Sequence, residues 1–256
     1  MKPVLGLVVA LEAEARSLMG SRPWERGGGH IFLRSRLQDG TDLMCVRSGI
    51  GIQKARTAAR WLVSEGVAAL AVLGVSGGLG PRLRSGDLIV GQGVLEEGAK
   101  GWNCVWRGNP KLVGSACAAL RAGGLSAHMG TVITVHRAAL STERKRSIYR
   151  QTQALAVDME SSAVARTASE AGLSLLVLRA ICDSSQQNVS EDLSICLDQD
   201  GSVHYSLLMG KLWRNPLLVV QLLCTRKRFV RALRGLRSGW GIEVANRLPA
   251  LLVSPD

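Results

Sequence analysis

The chain has 256 residues, of which 46% are hydrophobic and 29 are glycine, and this composition fits a globular α/β protein with many tight turns. Its six cysteines and four histidines are scattered, with no C-x-x-C pair and no metal-ligand spacing, so we expect a reduced, cytoplasmic protein without structural zinc. The net charge of +12 indicates an anionic partner, and no apolar run reaches the roughly 18 residues that a transmembrane helix needs.

Most of the chain alternates apolar runs with helical patterns, as parallel-sheet proteins do. Met1–Leu11 resembles a signal sequence only superficially, because the run is short and ends on acidic residues, so Val4–Leu11 is predicted to be a buried strand. Gln53–Gly66 is predicted to be a helix, since its alanines recur at three- and four-residue spacing. The other predicted elements are the strands Thr41–Ser48, Ala68–Gly74, Asp87–Gly93, Gly130–Val135 and Leu173–Ile181 and the helix Ser162–Ala171.

The composition turns polar after about residue 185, as in a surface loop, and two helices are predicted near 203–213 and 216–236. We therefore divide the chain into a main domain over 1–205 and a helical extension over 206–256. Between Lys211 and Arg247 the extension has nine basic residues and one acid. Its apolar residues gather on one face of a helical wheel, namely Leu218, Leu222, Phe229, Val230, Leu233, Leu236 and Trp240.

Three interpretations of this basic extension are open. A basic amphipathic helix with a tryptophan at its end suits an anionic membrane surface, with Lys227, Arg228, Arg231 and Arg234 facing outward. The same helix could instead pack on the main domain, with its basic face in water. A nucleic-acid-binding protein would also explain the charge, but the chain has no interleaved surface aromatics and no binding motif, so nucleic acid is not expected as a partner.

The most informative segment is Ala156–Ala163, in which Asp158, Met159 and Glu160 precede a predicted helix; the next strand leads to Asp183. Carboxylates are costly near a buried sheet edge unless something binds them. A methionine between two carboxylates indicates a pocket with an apolar wall and acceptors for hydroxyl groups, which suits a nucleoside. In this interpretation Glu160 accepts ribose hydroxyls, Met159 packs on the sugar, and Asp183 faces the base.

Four motifs follow one another over roughly residues 3–185: Ala10-Leu-Glu-Ala-Glu14, Ser48-Gly-Ile-Gly51, Gly77-Gly-Leu-Gly-Pro81 continuing to Asp87, and Asp-Met-Glu with Arg-Ala-Ile-x-Asp. Together they resemble the nucleoside phosphorylase superfamily, and within it the 5′-methylthioadenosine/S-adenosylhomocysteine nucleosidases. The resemblance implies a three-layer α/β fold with a mixed central sheet flanked by helices. It also implies a homo-oligomer that cleaves a purine nucleoside with water or phosphate, without metal or organic cofactor.

The resemblance assigns roles to individual residues. Asp183 matches the general acid that delivers a proton toward N7 of the base, and Glu12 matches the residue that positions the nucleophilic water. Glu160 and Met159 match the hydroxyl acceptor and the sugar-packing residue. The substrate-binding set is completed by Asp158, Ser76, Gly77 and Gly78, and Arg47 is a candidate ligand for phosphate as co-substrate.

Each of these residues also has a structural interpretation. Asp183 could cap the turn after its strand, and Glu12 could be an exposed first-turn acid that is favoured by the helix dipole. Asp158 could be a helix N-cap. Gly77, Gly78 and Gly80 could be required only by a tight turn, and Arg47 could be a solvated arginine at the end of a strand.

The sequence departs from the nucleosidase pattern in three places. Val75 occupies the position of a serine, Asp158 replaces a glutamate, and residues 136–141 have no clear counterpart of the base-stacking phenylalanine. These departures indicate either a substrate other than methylthioadenosine or a different nucleophile. With the basic tail, the chain resembles the bacterial hopanoid-associated phosphorylases, which implies adenosylhopane as substrate and peripheral attachment to the inner membrane; a methylthioadenosine/S-adenosylhomocysteine nucleosidase or a purine nucleoside phosphorylase is the alternative.

Overall fold

The computed structural model describes residues 3–37, 40–188 and 217–241. Their strands are β1 Val4–Val9, β2 Glu25–Gly27, β3 His30–Arg36, β4 Asp42–Arg47, β5 Ala69–Gly78, β6 Leu88–Gly98, β7 Gly101–Arg107, β8 Ala127–Thr134, β9 Ala156–Asp158 and β10 Ser174–Asp183. Their helices are α1 Glu12–Met19, α2 Ile52–Ser64, α3 Pro110–Ala122, α4 Thr142–Thr152, α5 Ser161–Glu170 and α6 Leu217–Gly239. Within these ranges, no helix has the length and apolar character required to cross a bilayer.

The described strands form a single mixed sheet that curls back on itself. β5 pairs in parallel with β10, β10 pairs antiparallel with β6, β6 and β9 both pair in parallel with β8, and β9 pairs antiparallel with β5. These five strands therefore make a closed ring. β1, β4, β3 and β2 extend from β5 as an open sheet, and β7 pairs with β6. The mixed sheet with flanking helices that was expected from the sequence is confirmed.

Side chains that alternate along the strands supply two apolar layers, one on each face of the sheet. On β1, Leu5, Leu7 and Val9 enter one layer, while Val8 enters the other with the buried alanines of α2. Alternation of this kind is what a strand with both faces covered requires. The predicted helix over 53–66 is present as α2, and its small buried side chains allow it to lie close to the sheet.

Helix α6 belongs to the packed core of the protein. Ala232, Leu236 and Trp240 are buried in the same apolar layer as β1. The hydroxyl of Ser17 on α1 donates to the carbonyl of Leu233 at 3.1 Å. In the described part of the tail, the helix packs on the main domain, as the second interpretation expected. The predicted helix near 203–213 lies outside the described residues.

The glycine motif begins as a strand and ends in a turn. β5 continues through Gly77 and Gly78, which pair with Val157 and Ala156 of β9 and have no positive φ angle. A Cβ atom on Gly78 would lie 2.9 Å from the Ile181 side chain, so this glycine allows the backbones to approach closely. The turn follows at Gly80, whose carbonyl accepts the N–H of Leu83 at 3.2 Å. The tight-turn interpretation was therefore wrong for Gly77 and Gly78 and is confirmed for Gly80.

Candidate active site

The sequence motifs meet where β5, β9 and β10 end side by side. Gly77 of β5 pairs with Val157 on one side, and a register shift in β10 places Asp183 opposite Gly77 on the other. Asp158 and Glu160 follow Val157 directly, so both motifs reach the same end of the sheet. The geometry therefore brings together the residues that the sequence predicts to bind a nucleoside.

Glu14, and not Glu12, is the buried acid of the first motif. Its side chain accepts the backbone N–H groups of Ala10 at 3.0 Å, Leu11 at 2.8 Å and Val75 at 2.7 Å. Burial raises the pKa of Glu14, although these N–H groups lower it. Glu12 lies at the surface, where its side chain is 49% exposed and pairs with Arg16 and, at 3.0 Å, with Arg47. Glu14 thus contacts β5 two residues before the glycine motif, whereas Glu12 lies at the surface in ion pairs with two arginines.

Asp158 is engaged on both sides by the protein itself. Its Oδ1 accepts the Thr134 hydroxyl at 2.7 Å and the backbone N–H of Ser161 at 3.2 Å, at the start of α5. Its Oδ2 lies 2.8 Å from Nε of the buried Arg179, an ion pair that lacks hydrogen-bond geometry. These contacts favour the capping interpretation of Asp158 over direct contact with a substrate.

Glu160 is buried beside the same arginine. Its Oε1 accepts the backbone N–H of Gly51 at 2.9 Å, and its Oε2 lies 4.0 Å from Nη2 of Arg179. Burial raises the pKa of Glu160 to about 7, with a further contribution from the charge of Asp158, while Arg179 lowers it. Met159, next to it, is half-buried and packs against the apolar cluster that contains Leu79. Glu160 is therefore a carboxylate whose charge can change near neutral pH.

Among the described residues, one buried guanidinium, that of Arg179, faces three buried carboxylates. It forms ion pairs with Asp158 and Glu160, and its charge also lowers the pKa of Glu14. A Cβ atom on Gly74 would lie 2.8 Å from Oε1 of Glu14 and would collide with Arg179, which shows how closely these groups are packed. Three acids around one base give the site a surplus of negative charge when they are ionised. Such a surplus stabilises a positive charge that develops nearby.

Asp183 forms an ion pair with Lys145, a residue of α4 whose side chain is fully buried. The ammonium group also donates to the carbonyl oxygens of Ser184 at 3.2 Å and Gln187 at 2.8 Å. Burial raises the pKa of Asp183, and Lys145 and Arg228 lower it by their charge. Arg228 of α6 was predicted to face outward; it is half-buried because its helix packs on this side of the sheet.

The hydroxyl of Ser76 is buried and has no hydrogen-bond partner among the described residues. A buried polar atom without a partner is uncommon and costs free energy, so it is a candidate contact for a bound molecule. Ser76 lies between Val75, whose N–H binds Glu14, and Gly77, which adjoins Asp183.

Cavities on the described surface differ in their distance from the acidic site. One of about 400 Å³ is lined by neighbours of that site, including Arg47, which pairs with Glu12, and Ser48, although none of the buried acids lines it. The other, of about 660 Å³, lies between β6, β7, β8 and α3, and none of its lining residues belongs to the acidic site. The smaller cavity is therefore the better candidate for a substrate path, although it is not the larger.

Glu14, Lys145 and Arg179 are the buried charged residues to which sequence reasoning gave no role. Glu14 could have been found from its spacing, since it shares a helical face with Ala15, Leu18 and Met19. Lys145 carries a weaker signal, because it stands among exposed charged residues and only its three-residue spacing from Thr142 and Ile148 marks the buried face.

Comparison with known proteins gives one family and one fold. The sequence model of the Phosphorylase superfamily matches residues 4–206. The futalosine hydrolase of Helicobacter pylori strain 26695 is similar with a TM-score of 0.71 and 15% identity, over 93% of this chain and 96% of that one. The 5′-methylthioadenosine/S-adenosylhomocysteine nucleosidase of Neisseria meningitidis, solved with methylthio-immucillin-A, has a TM-score of 0.72 and 18% identity, over 95% and 98%. The Helicobacter pylori nucleosidase solved with butyl-thio-DADMe-Immucillin-A has a TM-score of 0.72 and 15% identity, over 94% and 97%. At these identities the likeness establishes the fold.

Proposed function

Because the chain belongs to the phosphorylase superfamily, we propose that it cleaves the N-glycosidic bond of a purine nucleoside and releases the base. The observation that supports this most is the surplus of buried carboxylates, in which Glu14, Asp158 and Glu160 face Arg179. The N-glycosidic bond breaks through an oxocarbenium-like sugar, as in glycoside hydrolysis. A negatively charged site stabilises that cation as it forms. The named nucleosidases of the same fold support the same reaction class.

In this proposal each carboxylate has its own task. Asp183 is the general acid toward the base, because burial raises its pKa and favours the protonated form. Glu160 accepts the ribose hydroxyls, and the N–H of Gly51 fixes its orientation. Glu14, and not Glu12 as the resemblance implied, positions the nucleophile, since Glu14 is buried against Val75 and Glu12 is not.

Water is the nucleophile that this arrangement favours. A phosphate ion would be repelled by three buried carboxylates unless cations balanced them. Arg47 is the candidate cation, but it pairs with Glu12 at 3.0 Å, so its charge is already balanced in part. Water approaching Glu14 meets no such repulsion.

The reaction is tested by following adenine release from methylthioadenosine and from adenosines with long apolar 5′ substituents, with and without phosphate. The free 5-substituted ribose as product in both conditions supports hydrolysis, and a 5-substituted ribose 1-phosphate formed only with phosphate contradicts it. Absence of base release from every purine nucleoside would contradict the proposed reaction itself. Sedimentation velocity on the same samples tests whether the protein forms the expected homo-oligomer.

We further propose that the substrate is lipid-linked, with adenosylhopane as the specific candidate. The support is the outer face of α6, where Lys227, Arg231 and Arg234 are exposed beside Leu223, whose exposed fraction is 50%. A basic face with an apolar end suits the surface of an anionic membrane. The inner face of the same helix packs on the protein, so α6 would fix the distance between membrane and site.

Charge substitutions test this docking without disturbing the core. Lys227→Gln, Arg231→Gln and Arg234→Gln together should weaken binding to phosphatidylserine vesicles by about 1 kcal/mol per charge. The control removes three exposed charges elsewhere, by Lys100→Gln, Lys111→Gln and Arg150→Gln. Activity on a water-dispersed adenosine analogue should be unchanged in both variants. Equal vesicle binding by wild type and both variants would contradict the membrane proposal.

A further inference from the structure

Lys145 is a charged residue in the interior of the protein, and it pairs with Asp183, the proposed general acid. It is fully buried, whereas its neighbours Arg146 and Arg150 on α4 are exposed. Burying an ammonium group is costly unless the charge is paired and its N–H groups are bound. Both conditions are met here, since the three acceptors of Nζ are Asp183 and the carbonyl oxygens of Ser184 and Gln187.

Of the carboxylates in the site, the Lys145 ammonium group pairs with that of Asp183. Asp158 and Glu160 have their own cation in Arg179. Asp183 is faced by two cations, Lys145 from α4 and Arg228 from α6. The adjacent Cys182 carries no charge near neutral pH, because burial raises the pKa of its thiol to about 12. Lys145 is therefore placed to respond to the charge of Asp183.

We propose that Lys145 is a positioning residue that holds Asp183 toward the base and balances the negative charge that Asp183 acquires when it gives up its proton. This inference rests on the proposed function. The proton moves from the Asp183 carboxyl to N7 of the purine while the electron pair of the C1′–N9 bond passes to the base. The base leaves neutral, and Asp183 remains as a carboxylate against the Lys145 ammonium. Without that ammonium, the carboxylate would form in a largely buried site with only Arg228 to balance it.

A purely structural role is the competing explanation, because Lys145 also ties α4 to the turn at 184–187. The two explanations differ in what they predict for substrates whose base needs no proton. A 7-methylpurine nucleoside already has its N7 substituted and positively charged, so its base leaves without the help of an acid. A structural defect would slow the cleavage of both kinds of nucleoside, whereas loss of the counter-charge would slow only the ordinary one.

The experiment compares Lys145→Met, Lys145→Arg and the control Arg150→Met on a purine nucleoside and its 7-methyl derivative. We expect Lys145→Met to lower kcat/KM on the ordinary nucleoside by about 10- to 100-fold, as for the loss of a charged hydrogen-bond partner. On the 7-methyl derivative its loss should be less than threefold by the same reasoning. Lys145→Arg should recover part of the loss, and Arg150→Met should cleave both nucleosides like the wild type.

A pH profile gives a second measurement that a structural role would not change. Activity requires protonated Asp183, so kcat/KM falls as pH rises through the pKa of this carboxyl. Removing the lysine charge raises that pKa, so the basic limb of the Lys145→Met profile should move to higher pH while its plateau falls. Equal losses on both nucleosides, or an unmoved basic limb, would overturn the proposal. A wild-type protein that cleaves neither nucleoside would instead contradict the proposed function.

Discussion

Replacing Glu14 with glutamine, with Glu12→Gln as its matched control, tests the site most directly. If Glu14 positions the nucleophile and takes up its proton, the amide cannot replace it, and base release should fall by about 100-fold or more. Glu12 lies at the surface and pairs with Arg16 and Arg47, so its substitution should leave the rate within about twofold of the wild type, as expected for an exposed ion pair. Both rates are measured as adenine released at saturating nucleoside.

The same substitution has a cost in stability that follows from the geometry. Both carboxylate oxygens of Glu14 accept backbone N–H groups, those of Ala10 and Leu11 on one side and that of Val75 on the other. A glutamine has one acceptor oxygen, so its NH₂ group must face an N–H on one side. We expect the free energy of unfolding to fall by about 1–3 kcal/mol. The rates are therefore compared well below the melting temperature, after circular dichroism has shown that the variant is folded.

A different outcome would refute the reasoning about this pair. If Glu12→Gln lost as much activity as Glu14→Gln, or if only Glu12→Gln lost activity, the nucleophile would lie on the surface side of α1. Glu14 would then have only a structural role, as the acceptor of the N–H groups of Ala10, Leu11 and Val75.

Three further predictions concern Asp183 and Glu160. Asp183→Asn should lower base release by about 100-fold or more, because the amide cannot donate an acid proton, and near-normal turnover measured by chromatography of the base would remove Asp183 from this role. Glu160→Gln should narrow the preference for a ribonucleoside over its 2′-deoxy form, since a charged acceptor contributes about 1.5–3 kcal/mol; an unchanged ratio of kcat/KM values would contradict a hydroxyl contact. Because burial raises the pKa of Glu160 from its usual 4.5 to about 7, the folded protein retains a proton that the unfolded chain releases, so the contribution of Glu160 to the free energy of unfolding should fall as pH rises through that window. Urea denaturation at several pH values should show a smaller fall for Glu160→Gln, and an identical pH dependence would contradict the assignment.

The strands of the core could be predicted because their sequences carry the signal locally. Residues 4–9, 69–74 and 175–178 are continuous apolar runs, as expected of strands that are covered on both faces. The acids near Gly77 could be predicted as a group, since they follow such runs. The choice between Glu12 and Glu14 depended on which face of α1 packs on the sheet, and the spacing of Ala15, Leu18 and Met19 marks that face in the sequence.

Other parts of the site depend on contacts between distant segments. β9 has three residues, and it is a strand because Val157 pairs with Gly77 of β5 and with Ile133 of β8. Lys145 is buried because Asp183 and the turn after β10 meet its ammonium group. No local pattern in either segment indicates these partners. Arg228 was assigned to the outer face for the same reason, since the wheel of an isolated helix does not show which side the rest of the protein covers.

The closed ring of strands has a consequence for how the protein reaches its native state. The ring closes only when β5 has paired with β10, in a register that matches Ala69 with Ser174, and β9 has been added beside Gly77. Pairings between such distant segments form late, because the entropy of closing a long loop must be overcome first. We therefore expect the acidic site to assemble in the last step of folding, so that a partly folded chain could hold much of its helix and sheet and still be inactive. Recovery of activity during refolding should then lag behind recovery of the far-ultraviolet circular dichroism signal.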